Sequence, residues 1–320
     1  MSRRAKIWLV IAASLVVLGL TIFAAVMTVN HWDFTKLSTA KYETNAYEVS
    51  EGFSNISMET DTADILFVPS DDGICKVICY EQKNMKHSVD VQDGTLMINA
   101  VDDREWYEYI GITLGTPKVT VYLPETEYVL LMIKESTGDV EIPKDFKFES
   151  IDISVSTGDV KSFVSASEVI KIKTSTGDIR VENASAGTLD LSVSTGNVNV
   201  SGVACEGDVK INVSTGKTNI TDTACKSVTS TGSTGDLSLK NVIAAEKFSL
   251  ERSTGDVKFD GADAAEIFVK TDTGDVTGSL LTDKVFITQT DTGSIDVPQT
   301  VAGGRCEITT DTGDIRIHIS

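Results

Sequence analysis

Apolar and polar residues alternate along most of this chain, and the alternation restarts at a fixed interval. Ahead of Gly196, Leu189, Leu191 and Val193 alternate with Asp190, Ser192 and Ser194, and Val198 and Val200 resume the pattern beyond it. A period of two is that of a β-strand, whose side chains point to opposite faces in turn. The step from Val193 to Val198 is five residues, an odd number, so a straight strand would put these two on opposite faces. The intervening Thr-Gly pair is therefore a corner that turns the apolar face back inward. Glycine supplies backbone angles there that other residues tolerate poorly. A third inward position follows seven residues after the glycine, at Ala184, Val203, Val242, Ala262 and Leu281.

The corner recurs. Gly138, Gly158, Gly177, Gly196, Gly216, Gly235, Gly255, Gly274, Gly293 and Gly313 each follow a threonine, at spacings of 19 or 20 residues. The surrounding words are STGDV, STGDI, STGNV, STGKT, STGDL, TDTGDV, TDTGSI and TDTGDI. An antiparallel meander would alternate two turn words, whereas one word recurs here. Two strands and a short third side per period make one coil of a parallel β-solenoid. The expected fold is all-β, with about ten coils stacked in register, like on like. At about 4.8 Å per coil the stack spans roughly 48 Å. Glu135 and Arg252 depart from the pattern, three residues before their glycines, where other copies carry Val155, Val193, Val213, Thr174 or Thr310. That position is expected at the wet edge of the corner, with no catalytic role.

The first residues follow a different pattern. Ile7 to Val29 is one apolar run without a charged side chain. Its 23 residues make a helix of about 34 Å, enough to cross a hydrocarbon core of about 30 Å. Arg3, Arg4 and Lys6 precede it and Asp33 follows, so the positive-inside rule places the N-terminus in the cytoplasm and the rest outside the cell membrane. Trp8 and Trp32 stand where interfacial aromatics belong. A cleaved signal peptide is the rival, but its apolar region is usually only about 7–15 residues.

Residues 31–130 are less regular. A degenerate copy, ETDTADILFVPSDDG, has Ala63 where glycine would stand, and strands are expected at 76–80, 95–101 and 118–123. An excursion over 102–116 carries Trp106, Tyr107 and Tyr109, a candidate ligand patch or a cover for the core. The expected division is a basic start and transmembrane helix at 1–30, a linker at 31–47, an N-terminal β section capping the solenoid at 48–130, and the repeats at 131–320. The order of anchor, DTADILFVPSDDG, VTVYLP and serial STGDV words resembles the putative-adhesin β-strand-repeat family of bacterial envelope proteins, over residues 45–320. The resemblance implies a surface-exposed β-helix, of the stress-operon type, in a domain of unknown function. It carries no functional residues over.

Charge narrows the partners. The chain holds 28 Lys and Arg against 47 Asp and Glu, a net −19. Only three basic residues lie in the first 30, so the remainder is at −22. Nucleic acid is excluded as a partner, because phosphate backbones need a cationic face. Three histidines and no catalytic constellation point to a non-enzymatic protein. The leading expectation is a membrane-anchored scaffold or adhesin-like module that meets an envelope polymer or protein. The alternative is a glycan-binding or polysaccharide-active β-helix, but Lys161, Arg180, Lys210, Lys217 and Lys258 are too scattered to line an anion-stabilising groove.

The most repeated ionisable group is the Asp after the glycine, at 139, 159, 178, 236, 256, 275 and 314. It is expected to accept hydrogen bonds from the corner backbone. Asp272, Asp291 and Asp311 add a second carboxylate in the last copies, so Asp272, Asp275, Asp291, Asp311 and Asp314 are candidate Ca²⁺ ligands. No other cofactor is expected. Asp291-Thr292-Gly293-Ser294 spells a protease-like DTGS, yet it is the repeat word with Ser changed to Asp. Cys205 and Cys225 each lie nine residues after their glycine, so stacking puts their Cα atoms about 5 Å apart, within disulfide range. A disulfide and two buried thiols remain equally open. An odd total of five cysteines with three histidines speaks against a zinc site.

Overall fold

The computed structural model describes residues 2–33, 40–106 and 115–320. A helix spans Arg3–Val29, and strands occupy most of the rest. The helix is long and apolar enough to cross a membrane. Two of its hydroxyls are satisfied within it, Thr21 donating to the Val17 carbonyl at 2.8 Å and Thr28 to that of Ala24 at 2.7 Å. Such internal pairing is what a lipid environment demands of polar groups. Tyr107 and Tyr109 lie outside the described residues, and Trp106 is exposed.

The strands form a parallel β-solenoid. In the lap before Gly196, Leu189, Leu191 and Val193 pair with Val209, Ile211 and Val213 of the next lap. Beyond the corner, Val198 and Val200 pair with Thr218 and Ile220. All of these are buried, so every inward row runs the length of the stack as one core. Burying each such side chain stabilises the fold by about 1.5–3 kcal/mol before ordering costs are set against it. At the corner Gly196 adopts φ 142°, and a Cβ there would lie 2.1 Å from the carbonyl oxygen of Gly177. The laps touch through backbone at this ridge.

A second corner lies six residues after the glycine. Asn183, Gly202, Asp222, Asn241 and Gly261 all have positive φ, between 47° and 63°. Asn, Asp and Gly are the residues that tolerate this region. Ala184, Val203, Val242 and Ala262 then point inward as expected. Leu281 does not: it is 44% exposed, and Leu280 is buried in its place. In that lap the positive φ falls at Gly278 (128°). The pairing shifts there, and Leu280 rather than Leu281 meets Ala262.

Both ends depart from sequential stacking. The degenerate first lap, Asn55–Thr62 and Asp64–Pro69, lies between Glu127–Thr137 with Val140–Ile142 on one side and Thr95–Asp102 with Lys118–Leu123 on the other. Outside these, Cys75–Gln82 runs antiparallel between Tyr42–Val49 and Lys118–Leu123, and Met85–Gln92 runs antiparallel to Thr95–Asp102. At the other end the final lap, Gly304–Thr312 and Ile315–Ile319, inserts between Val257–Leu280 and Lys284–Asp296. The glycines therefore form a single file in the order 274, 313, 293, not the chain order expected. Composition explains the exchange. The final lap offers Cys306, Ile308, Ile315 and Ile317 to the core, whereas the preceding lap has Thr288 opposite Ile308. The more apolar lap takes the interior.

Candidate functional site

The carboxylate row beside the glycine ridge is a backbone ladder. Asp139 accepts from the Asp159 N–H at 2.8 Å, Asp159 from Asp178 at 2.8 Å, and Asp178 from Asn197 at 2.7 Å. Asn197 continues it to Lys217 at 2.9 Å, where it breaks, and the Asp236, Asp256, Asp275 and Asp314 carboxylates resume it as far as Ser294. Hydrogen bonds from the Ser294 backbone and hydroxyl hold Asp314 below the ordinary carboxylate range. Of the calcium candidates, Asp275 and Asp314 spend an oxygen on this ladder, while Asp272, Asp291 and Asp311 are exposed beside it.

The third side of the solenoid is lined by small residues. Ala166, Ala186, Cys205 and Cys225 succeed one another along it, under an open groove of about 580 Å³, and Ala244 continues the row. Its N-terminal end is closed by stacked rings, Phe53 on Tyr128 at 6.0 Å and Tyr128 on Phe148 at 5.5 Å. Cys205 and Cys225 lie in successive laps of this row, as the spacing requires, and both are free buried thiols. Cys205 Sγ donates to the Gly187 carbonyl at 3.5 Å. Burial pushes the Cys225 thiol up to about 12.

The position three before each glycine is interior, which corrects the expected wet edge. Glu135 is 4% exposed and Arg252 2%. The row lies where a hydroxyl can reach the neighbouring ridge carbonyl: Thr174 donates to Gly158 at 3.2 Å, and Thr290 to Gly313 at 2.9 Å. Val and Thr are therefore the resident types. Arg252 fits because the lap before it has Gly232 opposite, where a Cβ would stand 3.1 Å from Nη1. Its guanidinium donates to Thr218 Oγ1 (3.1 Å), Ser230 Oγ (2.9 Å) and the Glu251 carbonyl (2.8 Å). Burial lowers it to about 10, so it stays charged at neutral pH.

Glu135 Oε1 accepts from the N–H groups of Thr137 at 3.1 Å and Ala63 at 3.4 Å. Oε2 has no partner, nor has the hydroxyl of Thr60 opposite it. Burial raises this carboxyl to about 8. A folded pKa above the unfolded one favours the native state fully below about pH 4.5, and the advantage fades as pH climbs to about 8. Glu135→Gln is expected to raise Tm markedly at pH 9 and little at pH 4.5, read by thermal melts across that range. An equal shift at both ends would refute a buried titrating carboxyl.

A family model matches residues 53–223 and again 204–320. The chain belongs to the Toastrack family, DUF4097. No curated protein matches it. Among solved structures, one described as a putative adhesin from Bacteroides fragilis NCTC 9343 is 17% identical, covering 87% of this chain and 97% of its own, at TM-score 0.41. One described as a putative lipid binding protein from Parabacteroides distasonis ATCC 8503 is 16% identical, covering 77% and 98%, at TM-score 0.48. A putative adhesin from Parabacteroides merdae ATCC 43184 is 13% identical, covering 77% and 98%, at TM-score 0.41.

In this Toastrack chain the cationic residues weighed for glycan chemistry do not converge. Lys161 and Arg180 are neighbours on the face after the glycine corner, and Arg180 is paired with Glu182 at 2.5 Å. Lys217 is paired with Asp236 at 3.0 Å, and Lys210 lies on the other face beside Asp190. Among the described residues, one group of three potential metal ligands does converge, and it lies at the N-terminal end: Cys79, Glu81 and His87. Counting cysteines missed it, because it uses one cysteine and one histidine. The signal was the inward row Cys75, Val77, Cys79, Glu81, an apolar strand face ending on a carboxylate.

Proposed function

We propose that this chain is a membrane-anchored scaffold that holds a rigid β-solenoid outside the cytoplasm and acts by binding rather than by catalysis. The observation that carries the reading is the junction of a membrane-length apolar helix with a stack whose inward rows are all committed to the core. Its outward rows are straight polar ladders. On one face Asp152, Lys171, Asp190 and Lys210 alternate in charge, with Lys171 and Asp152 paired at 3.0 Å. Such rows present a flat, mostly self-neutralised surface within a strongly acidic exterior, which suits a protein or neutral glycan better than a polyanion. The basic flank Arg3, Arg4, Lys6 supports a cytoplasmic N-terminus. The family resemblance adds an envelope-stress setting.

The test uses the burial of all five native cysteines. A membrane-impermeant maleimide applied to intact cells is expected to label Ser320→Cys and to spare Ser2→Cys. The reverse labelling would overturn the orientation. Release of soluble sugars from purified envelope glycan by the full chain would overturn the non-enzymatic reading.

A further inference from the structure

Strand Cys75–Gln82 turns its odd residues inward, and its inward row ends not on an apolar side chain but on Glu81, which is fully buried. The tight turn at Lys83 and Asn84 brings Met85–Gln92 back beside it, with Met85 and His87 inward. Cys79 Sγ, a Glu81 carboxylate oxygen and a His87 ring nitrogen thereby lie within 4.8 Å of one another. Cys79 is 0% exposed and His87 5%. The rest of the cluster is already held. Glu81 Oε1 accepts from Asn45 Nδ2 at 2.6 Å. Oε2 accepts from the His87 backbone N–H at 2.7 Å and faces His87 Nδ1 at 2.7 Å. Tyr47 donates to the His87 carbonyl at 3.0 Å. His87 Nε2 has no hydrogen-bond partner although the ring is buried.

We propose that Cys79, Glu81 and His87 form a site for one divalent transition-metal ion of the zinc type. A thiolate, an imidazole and a carboxylate are the donor types zinc takes, at about 2.3, 2.0 and 2.1 Å. Those bond lengths bring tetrahedral ligand atoms to about 3.3–3.7 Å apart, so binding needs side-chain shifts of about 1 Å and no backbone rearrangement. Charge favours it. A divalent ion with one thiolate, one carboxylate and a neutral imidazole sums to zero, the state a dry interior tolerates best. Zinc takes the thiolate form of cysteine, so the ion displaces the Cys79 thiol proton as it binds. Asn45 fixes the carboxylate from behind, the supporting contact metal-binding side chains require. Three protein ligands leave one position for an exogenous ligand. The ion would clasp the two strands of the hairpin together, and Asn45 ties its Glu81 ligand to the edge strand Tyr42–Val49.

The test is titration of the metal-stripped full chain, in detergent, with Co²⁺ and then Zn²⁺. The expected result is saturation at one equivalent, with a thiolate-to-cobalt charge-transfer band that Zn²⁺ abolishes. Cys79→Ser is expected to lose the band, whereas Cys205→Ser retains it. Asn45→Ala is expected to weaken affinity by about 10–100-fold. No saturable uptake by the wild-type chain, or a band that survives Cys79→Ser, would overturn the site. Should Cys79→Ser fail to fold, zinc-edge absorption of the wild-type protein decides: one sulfur ligand supports the assignment and none overturns it.

Discussion

Gly196→Ala is expected to prevent the central laps from stacking, with a loss exceeding about 4 kcal/mol or no folded protein at all. Two effects add at that residue. The φ of 142° lies where an L side chain is strained, at a cost of about 1–3 kcal/mol. The new methyl would also stand 2.1 Å from the Gly177 carbonyl oxygen, a backbone atom of the preceding lap. Relief requires the two laps to part, and that breaks the adjacent bonds, such as Gly177 N–H to the Thr195 carbonyl at 3.0 Å. In a solenoid each lap is stabilised by its neighbours, so an opening in the middle costs two interfaces. Gly52→Ala is the control, since nothing lies within 4 Å of its Cβ position. Urea midpoints measure both, and a Gly196→Ala chain melting like Gly52→Ala would show that the ridge can open without loss.

That ridge was readable from the sequence because its constraint repeats ten times in one residue type. The alternating rows were readable for the same reason. The second corner could have been read: the residues six beyond the glycine, Asn183, Gly202, Asp222, Asn241 and Gly261, are all types that accept positive φ. What the sequence hid are features that occur once. Arg252 looks like a misplaced surface charge until Gly232, one lap earlier, is seen to leave its space. Glu135 looks wet because carboxylates usually are. The order of the last two laps turns on Thr288 facing Ile308, a comparison that becomes meaningful only once the laps are known to compete for one interior slot. Convergence of Cys79 and Glu81 with His87 depends on a hairpin that lies outside the repeat.

That exchanged end also carries a buried ion pair, and removing one partner is expected to detach the terminal lap. Lys284 Nζ meets Asp263 Oδ1 at 2.6 Å, and both residues are buried, at 3% and 7% exposure. Between their laps runs the inserted final lap, with Gly304 paired to Lys284. The lysine stem crosses at that glycine, its Cδ 3.7 Å from where a Cβ would stand. Lys284 therefore bolts three laps together, with Thr282 Oγ1 as a second acceptor at 2.6 Å and the Ala264 N–H holding the aspartate at 2.8 Å. Asp263→Ala leaves the ammonium buried without its counter-charge, a loss of about 3–5 kcal/mol. The loss falls on the end of the stack, because a solenoid can fray from its termini while the middle persists. Hydrogen exchange should thus accelerate over Lys284–Thr292 and Gly304–Thr312 and stay unchanged over Ser185–Thr195. The double variant Asp263→Leu with Lys284→Met should recover most of the loss, since an apolar pair of similar volume often replaces a buried ion pair without penalty. If Asp263→Ala protects those two strands as well as the native chain does, the bolt is not what holds the lap.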